Sequence, residues 1–167
     1  NELNLAKIQS KDLQKLDDIA TGFNAASAEK VYDIEKTTNH DVKAVEYYIK
    51  DELEAAGLSS IKEWVHFSCT SEDINNTSYA LMLKEGRDVI AETITEILCQ
   101  IEDLAKKYKA IPMMSRTHGQ PASPTTVGKE FVNFAWRIRE ELNDLKNSDI
   151  QGKFNGATGN FNAHAFV

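Results

Sequence analysis

An all-α fold is predicted by three features of this 167-residue sequence: glycine and proline are scarce, at 8 and 3, no apolar–polar alternation reaches strand length, and apolar residues recur at spacings of three and four. Ser10 is suited to cap a first helix with Leu13, Leu16 and Ala20 inward, and Ser27 a second that carries Val31 and Ile34. A third helix is expected to open at Asn39, to present Val42, Val45, Ile49, Leu53 and Ala56 on one side, and to end at Gly57. From Ser71 to about Lys109 no proline intervenes, and Ile90, Ile94, Ile97, Ile101, Leu104 and Tyr108 keep near-heptad spacing. That pattern predicts one long helix, roughly 55–60 Å at 1.5 Å per residue. After a loop from Ile111 to Ser123, Pro124 suits a first helical position, and Val127, Phe131, Phe134, Ile138, Leu142 and Leu145 form the stripe of a second long helix. Two long antiparallel helices cannot close a core alone, so an elongated helical bundle completed by further helices, later in the chain or from other subunits, is implied.

Composition narrows the function classes. With 41% hydrophobic side chains the chain can build a core of its own. No apolar run approaches the ~18 residues that span a bilayer, and the start, NELNLAKIQSKDLQKLDD, is too polar for a signal peptide, so no membrane partner is expected. Cys69 and Cys99 are not clustered, which suits free thiols in a reducing compartment, the cytoplasm. A net charge of −7 argues against nucleic acid as a partner. The same acidity leaves few cations near the polar clusters, so an anionic substrate would draw its cations from outside these residues. The four histidines are dispersed, and neither His66 nor His164 has a partner at ligand-like spacing, so no metal is expected.

Three polar clusters fall at expected helix starts or in the loop between the long helices. In Thr37-Thr38-Asn39-His40-Asp41, Asn39 is a natural N-cap, which would put His40 in a first turn where free amides and the helix dipole favour an anion such as phosphate. Simple capping by Asn39 and Asp41, with His40 at the surface, accounts for the same residues. In Thr70-Ser71-Glu72-Asp73, a Ser71 cap with acids in the first turn is one reading. A carboxylate held by the hydroxyls and amides of Thr70 and Ser71 is the other. Ser115-Arg116-Thr117-His118-Gly119-Gln120-Pro121 combines a base, a titratable imidazole and backbone-bending residues, with Thr117 and Gln120 placed to orient the ring and Gly119 to let a ligand approach. A loop histidine is also commonly just exposed. The segment from Lys153 to Asn160 reads as a glycine-containing turn, unlike a phosphate loop or a dinucleotide fingerprint.

Taken in order, TTNHDVKAVEYYIK, HFSCTSEDINNTSYALMLKEGRD, IPMMSRTHGQPASPTTVGKE and GKFNGATGNFNAH resemble consecutive blocks of the adenylosuccinate lyase family, from about Glu35 to His164. THGQP occurs in variants across the wider fumarase/aspartase superfamily, whereas TTNHDVKAVE and TSEDINN are similar to the adenylosuccinate branch. The resemblance implies part of that superfamily's all-α fold, with residues 1–68 in the N-terminal helical domain and 69–167 opening the central long-helix bundle of a homotetramer. It implies β-elimination of fumarate from adenylosuccinate, giving AMP, and from the succinyl-aminoimidazole-carboxamide ribotide of purine nucleotide biosynthesis, with no metal or organic cofactor. By the same resemblance His118 is the general acid, and Asn39, His40, Asp41, Thr70 and Ser71 bind substrate, His40 near the phosphate and Thr70 and Ser71 at the succinyl portion. The family's serine-bearing base loop and its phosphate-binding Arg-Tyr pair have no counterpart in these residues, so the isolated chain is expected to be inactive. A helical oligomerisation module that kept the bundle and lost the chemistry is the alternative.

Overall fold

A computed structural model describes residues 8–166, so the first seven residues of the expected N-terminal domain lie outside the described residues. The elements in order are α1 (Ser10–Thr21), α2 (Ala25–Thr38), α3 (Asp41–Ala55), a short 3-10 helix (Ser59–Trp64), α4 (Ser71–Lys107), β1 (Pro112–Thr117), β2 (Gln120–Thr126), α5 (Val127–Asn147) and α6 (Asn162–Phe166). The expected helical fold is observed, with one exception, the β1–β2 ribbon. Two compact units divide the chain. One gathers the described residues up to Tyr79 with those from Gly152 onward, and the other runs Ala80–Gln151.

In the first unit α3 is the central element, packed by α1, α2 and the 3-10 helix. Val42 and Leu53 of its expected stripe are buried and Val45 and Ile49 half-buried. Ala44 and Tyr48 are buried as well, because α3 is covered on more than one side. Phe23 meets the Tyr48 ring edge-on at 5.7 Å between centroids. Buried Glu46 lies 2.5 Å from Lys43 Nζ and 3.1 Å from Lys50 Nζ. Burial opposes its charge, but the two ammonium groups outweigh burial and hold the carboxyl below the usual range.

Helix starts differ from the expected ones in ways local chemistry explains. Ser10 is the first helical residue rather than a cap, and Gln9 before it makes no side-chain capping bond. Asn24, not Ser27, caps α2: its Oδ1 accepts the Ala26 and Ser27 amides at 2.9 and 3.3 Å. Asn39 does not cap α3. It adopts φ 50°, ψ 33° as the left-handed C-cap of α2, a conformation asparagine tolerates better than most side chains. Extended His40 then becomes the N-cap, and α3 opens at Asp41. Gly57, at φ 75°, follows α3 as expected.

The second unit is built on α4 and α5. Ala91, Leu98, Ala135 and Leu142 form its buried seam, with Ile94, Ile101 and Ile138 packed against it. Ala91, Ile94, Leu98, Ile101 and Ala105 alternate at three and four residues, a heptad seam that keeps Ile94 and Ile101 of the expected one and is displaced by one residue at Ile90, Ile97 and Leu104. Ile90, Ile97 and Leu104 are instead 54%, 48% and 36% exposed, and Phe134 of α5 is 55% exposed. The displacement has a steric cause. Small Ala91, Ala105, Gly128 and Ala135 let the two helices approach closely, which larger side chains would prevent.

Gly128 marks one close approach. A Cβ there would fall on the Ala105 carbonyl oxygen and stand 2.5 Å from Lys109 Cα. Gly128→Ala is therefore expected to force the helices apart at a cost of about 1–3 kcal/mol from overpacking. Over most of that range the cost exceeds the roughly 1 kcal/mol of helix propensity that alanine gains. The measurement is the denaturant midpoint at constant m-value, and a midpoint that rises contradicts the close contact.

The loop expected from Ile111 to Ser123 is an antiparallel ribbon, and Pro124, expected to begin a helix, pairs with Met114 inside it. Helix α5 starts at Val127, where Thr126 Oγ1 accepts the Lys129 amide at 3.2 Å. One residue of β1, Ser115, opposes two of β2, Ala122 and Ser123, as a bulge. The prolines are tolerated because both strands are edges. The ribbon buries neither face, so it carries no apolar alternation to announce it.

Candidate functional site

In the first unit two helix starts meet. His40, as N-cap of α3, accepts the Lys43 amide on Nδ1 at 3.3 Å. With Nδ1 an acceptor there, the ring proton is assigned to Nε2, which lies 3.3 Å from Ser71 Oγ at the start of α4. Ser71 Oγ accepts from the imidazole, so its own proton is free for a ligand. Beside this pair, Asp41 Oδ1 accepts the Val42 amide at 2.7 Å and Oδ2 accepts Asn75 Nδ2 at 3.2 Å. The Val42 amide and then Asn75 hold the Asp41 carboxyl below its usual range. His40 Nδ1 is also 3.2 Å from Asp41 Oδ1. Residues 31 and 34 positions apart in sequence thus become neighbours. Together they offer a hydroxyl and an imidazole where two helices begin, a set suited to an anionic, polar ligand.

Behind them stands a buried anchor. Asp73 is fully buried, and its Oδ2 accepts Thr70 N–H at 2.8 Å and Thr70 Oγ1–H at 3.0 Å. Its Oδ1 accepts Lys153 Nζ at 2.8 Å and the Asn155 and Gly156 amides at 3.1 and 3.3 Å. Lys153, outweighing burial together with the Thr70 and loop donors, holds this carboxyl far below the usual carboxylate range. Thr70, not Ser71, is the residue flanking α4, and the contact from Asp73 to its amide is half a capping box. Asn76 completes the attachment. Its Oδ1 accepts Lys153 N–H at 2.6 Å and its Nδ2 donates to Lys153 O at 3.0 Å. Nothing in the spacing of the sequence marks Lys153 and Asn76, and the one hint is a lysine placed inside a glycine-containing loop.

Of the expected substrate-binding residues, then, His40 and Ser71 touch, Asp41 joins them through Asn75, and Thr70 turns its donors inward to Asp73. Asn39 is exposed next to His40 and serves the backbone of α2.

His118 belongs to the other unit, where it occupies the tip of the ribbon. Thr117 pairs with Gln120, and between them His118 and Gly119 have φ of 50° and 75°. Positive φ at both central residues defines a type I′ turn, so Gly119 answers a conformational demand and the imidazole is exposed at the tip. Thr117 and Gln120 form the rung below it, and among the described residues neither is hydrogen-bonded to the ring.

Among the described residues, the other titratable groups do not build a second centre. Cys69 Sγ lies 3.7 Å from His66 Nδ1, the same nitrogen that faces Glu46 Oε2 at 4.0 Å, so one ring atom cannot relay between them. Burial first, and then the charge of Asp73, pushes the Cys69 thiol up, away from nucleophile behaviour. His164 stands edge-on to Phe154 and Phe161, at 5.8 and 5.6 Å. No cluster of three or more His, Cys, Asp or Glu side chains suited to a metal occurs among the described residues. Likewise no helix among them is long and apolar enough to cross a membrane.

Comparison with known proteins gives this arrangement its class. A family profile described as Lyase matches residues 1–166, and the chain belongs to that family. Among curated relatives, the chain is 54% identical over 153 residues to adenylosuccinate lyase of Vibrio cholerae serotype O1, covering 90% of this chain and 34% of that protein. It is 52% identical to the Haemophilus influenzae enzyme and 51% identical to that of Escherichia coli K12, in each case over 151 residues, 89% of this chain and 33% of the relative. The chain thus spans about a third of the length of these adenylosuccinate lyases. Among solved structures, fumarate lyase from Mesorhizobium sp. BNC1 superposes with a TM-score of 0.75 at 19% identity, over 93% of this chain and 36% of that one. The 3-carboxy-cis,cis-muconate lactonizing enzyme of Pseudomonas putida gives 0.65 at 21% identity, over 86% and 32%. These two establish the fold.

Proposed function

We propose that the full-length protein carrying this chain is an adenylosuccinate lyase of purine nucleotide biosynthesis, acting in the cytoplasm. The observation that carries the reading is the 51–54% identity to adenylosuccinate lyases. Spans of 151–153 residues in a chain of 167 necessarily take in residues 39–121, and with them all six candidate positions. In the reaction a base outside these residues takes the proton beside a carboxylate of the succinyl group, the C–N bond breaks, and fumarate departs. His118 donates the proton that the leaving amine requires. Its exposed position on a short turn suits a group that must reach a bound ligand. His40, Asp41 and Ser71 bind the substrate, with Asn39 and Thr70 framing them. The same reading places residues 1–68 in the N-terminal domain and the rest in the central bundle, and it makes the isolated chain inactive.

The bundle is completed by further copies. Besides the seam facing α5, α4 carries Leu83, Ile90, Ile97 and Leu104 at strict seven-residue intervals, exposed by 63%, 54%, 48% and 36%. An apolar groove bounded by Ile94, Ile97, Phe134, Ile138 and Leu145 runs beside them. Both features fit helices of a homo-oligomer, and they equally favour a helical module without chemistry. The deciding experiment is cleavage of adenylosuccinate by the full-length protein, with argininosuccinate as control. Conversion of adenylosuccinate alone to AMP and fumarate is the expected result, and no consumption of it sinks the enzyme reading in favour of the module.

A further inference from the structure

Thr70 and Ser71 are adjacent, yet their hydroxyls differ in what they have left to give. Both donors of Thr70 are spent on one oxygen of Asp73, at 2.8 and 3.0 Å. With the His40 proton assigned to Nε2 from the Lys43 amide bond to Nδ1, Ser71 Oγ accepts from the ring and keeps its own proton. What enforces the difference is a fully buried carboxylate held on its other oxygen by Lys153 and two amides of the 153–156 loop. The loop is itself fixed to α4 by the two-way pairing of Asn76 with the Lys153 backbone. Lys153 Nζ further donates to Gly156 O at 2.8 Å, so the anchor's own partner is tied down. The Asp73 amide in turn donates to Thr70 O at 3.0 Å, which holds the peptide joining Thr70 to Ser71 from the other side.

We propose that Asp73, anchored by Lys153 and the loop amides, is a positioning residue for the substrate site: it draws both donors of Thr70 inward and leaves the Ser71 hydroxyl as the side-chain donor that this helix start offers to a substrate carboxylate. The inference rests on the proposed lyase function and goes beyond it by assigning a role to Asp73 and Lys153 and by separating the duties of Thr70 and Ser71. Asp73 touches no ligand. It acts through the Thr70–Ser71 peptide.

The test is a double-mutant cycle in the full-length protein carrying this chain, with adenylosuccinate as substrate. Asp73→Asn and Ser71→Ala are each expected to raise KM at least tenfold with kcat within threefold of wild type. The double variant is expected to be no more than threefold worse than the poorer single one, because both remove the same hydroxyl contact. Independent, multiplying effects overturn the proposal, and so does an unchanged KM for Asp73→Asn. If Asp73→Asn does not accumulate folded, Thr70→Val carries the same test, since it deletes one Asp73 contact and leaves the loop side intact. It is expected to raise KM at least threefold and without multiplying the effect of Ser71→Ala; an unchanged KM or a multiplied effect overturns the proposal. A wild type that leaves adenylosuccinate uncleaved defeats the function on which the inference stands, a result distinct from any of these.

Discussion

Replacement of His118 by asparagine is expected to lower kcat for adenylosuccinate about 10²–10⁴-fold in the full-length protein carrying this chain, the range typical of losing a positioned general acid. KM is expected to stay within threefold, because the groups assigned to binding, His40, Asp41 and Ser71, belong to other elements. The choice of asparagine matters. His118 has φ 50° at the first central position of a type I′ turn, a region most side chains enter only with strain. Asparagine enters it readily and is common in such turns, so the ribbon tip is retained and the imidazole alone is lost. Glutamine would mix loss of the acid with distortion of the turn. Steady-state kinetics on the purified variant, with fumarate release followed by absorbance, decides the matter. A variant that keeps more than a third of wild-type kcat removes His118 from the role of acid.

The same residue shows how much of the molecule is legible in the sequence. Long helices are legible because burial on one side leaves a periodic record: α4 and α5 run Ser71–Lys107 and Val127–Asn147, close to the reading from apolar spacing alone. Which of two adjacent stripes is buried is not legible in the same way. Ile90 and Ile97 are more apolar than Ala91 and Ala105, yet the alanines face α5 because the contact selects small side chains. The β1–β2 ribbon leaves no periodic trace, since neither face is buried, and only the His118-Gly119 pair hints at its turn. The substrate site is legible in pieces. His40, Asp41, Thr70 and Ser71 stand in polar clusters whose chemistry is plain, but what joins His40 to Ser71 is tertiary packing. The Asp73–Lys153 contact spans 80 positions, and no local rule foretells it.

Ile97 and Leu98 are neighbours on α4, and their substitutions are expected to fail in opposite ways. Leu98 is 6% exposed in the seam with α5, so Leu98→Ala costs about 2–5 kcal/mol of fold stability. Ile97 is 48% exposed on the second seven-residue stripe, so Ile97→Asp leaves the α4–α5 contact in place. Its effect falls on assembly. The four residues of that stripe have on average about half of their surface left to bury, so covering them with another copy contributes roughly 3–6 kcal/mol per helix at 1.5–3 kcal/mol for each fully buried side chain. Association itself costs about 4–15 kcal/mol, so the margin is narrow. An aspartate in the middle of the stripe forfeits the share of Ile97 and must also be stripped of water, at several kcal/mol when unpaired. Sedimentation velocity at micromolar concentration is expected to show an oligomer for the full-length wild type and dissociated protein for Ile97→Asp, with the helical circular dichroism of the two alike. A variant that sediments as the wild type does would mean that the second stripe is not the seam between copies, and a monomeric wild type would remove the assembly altogether.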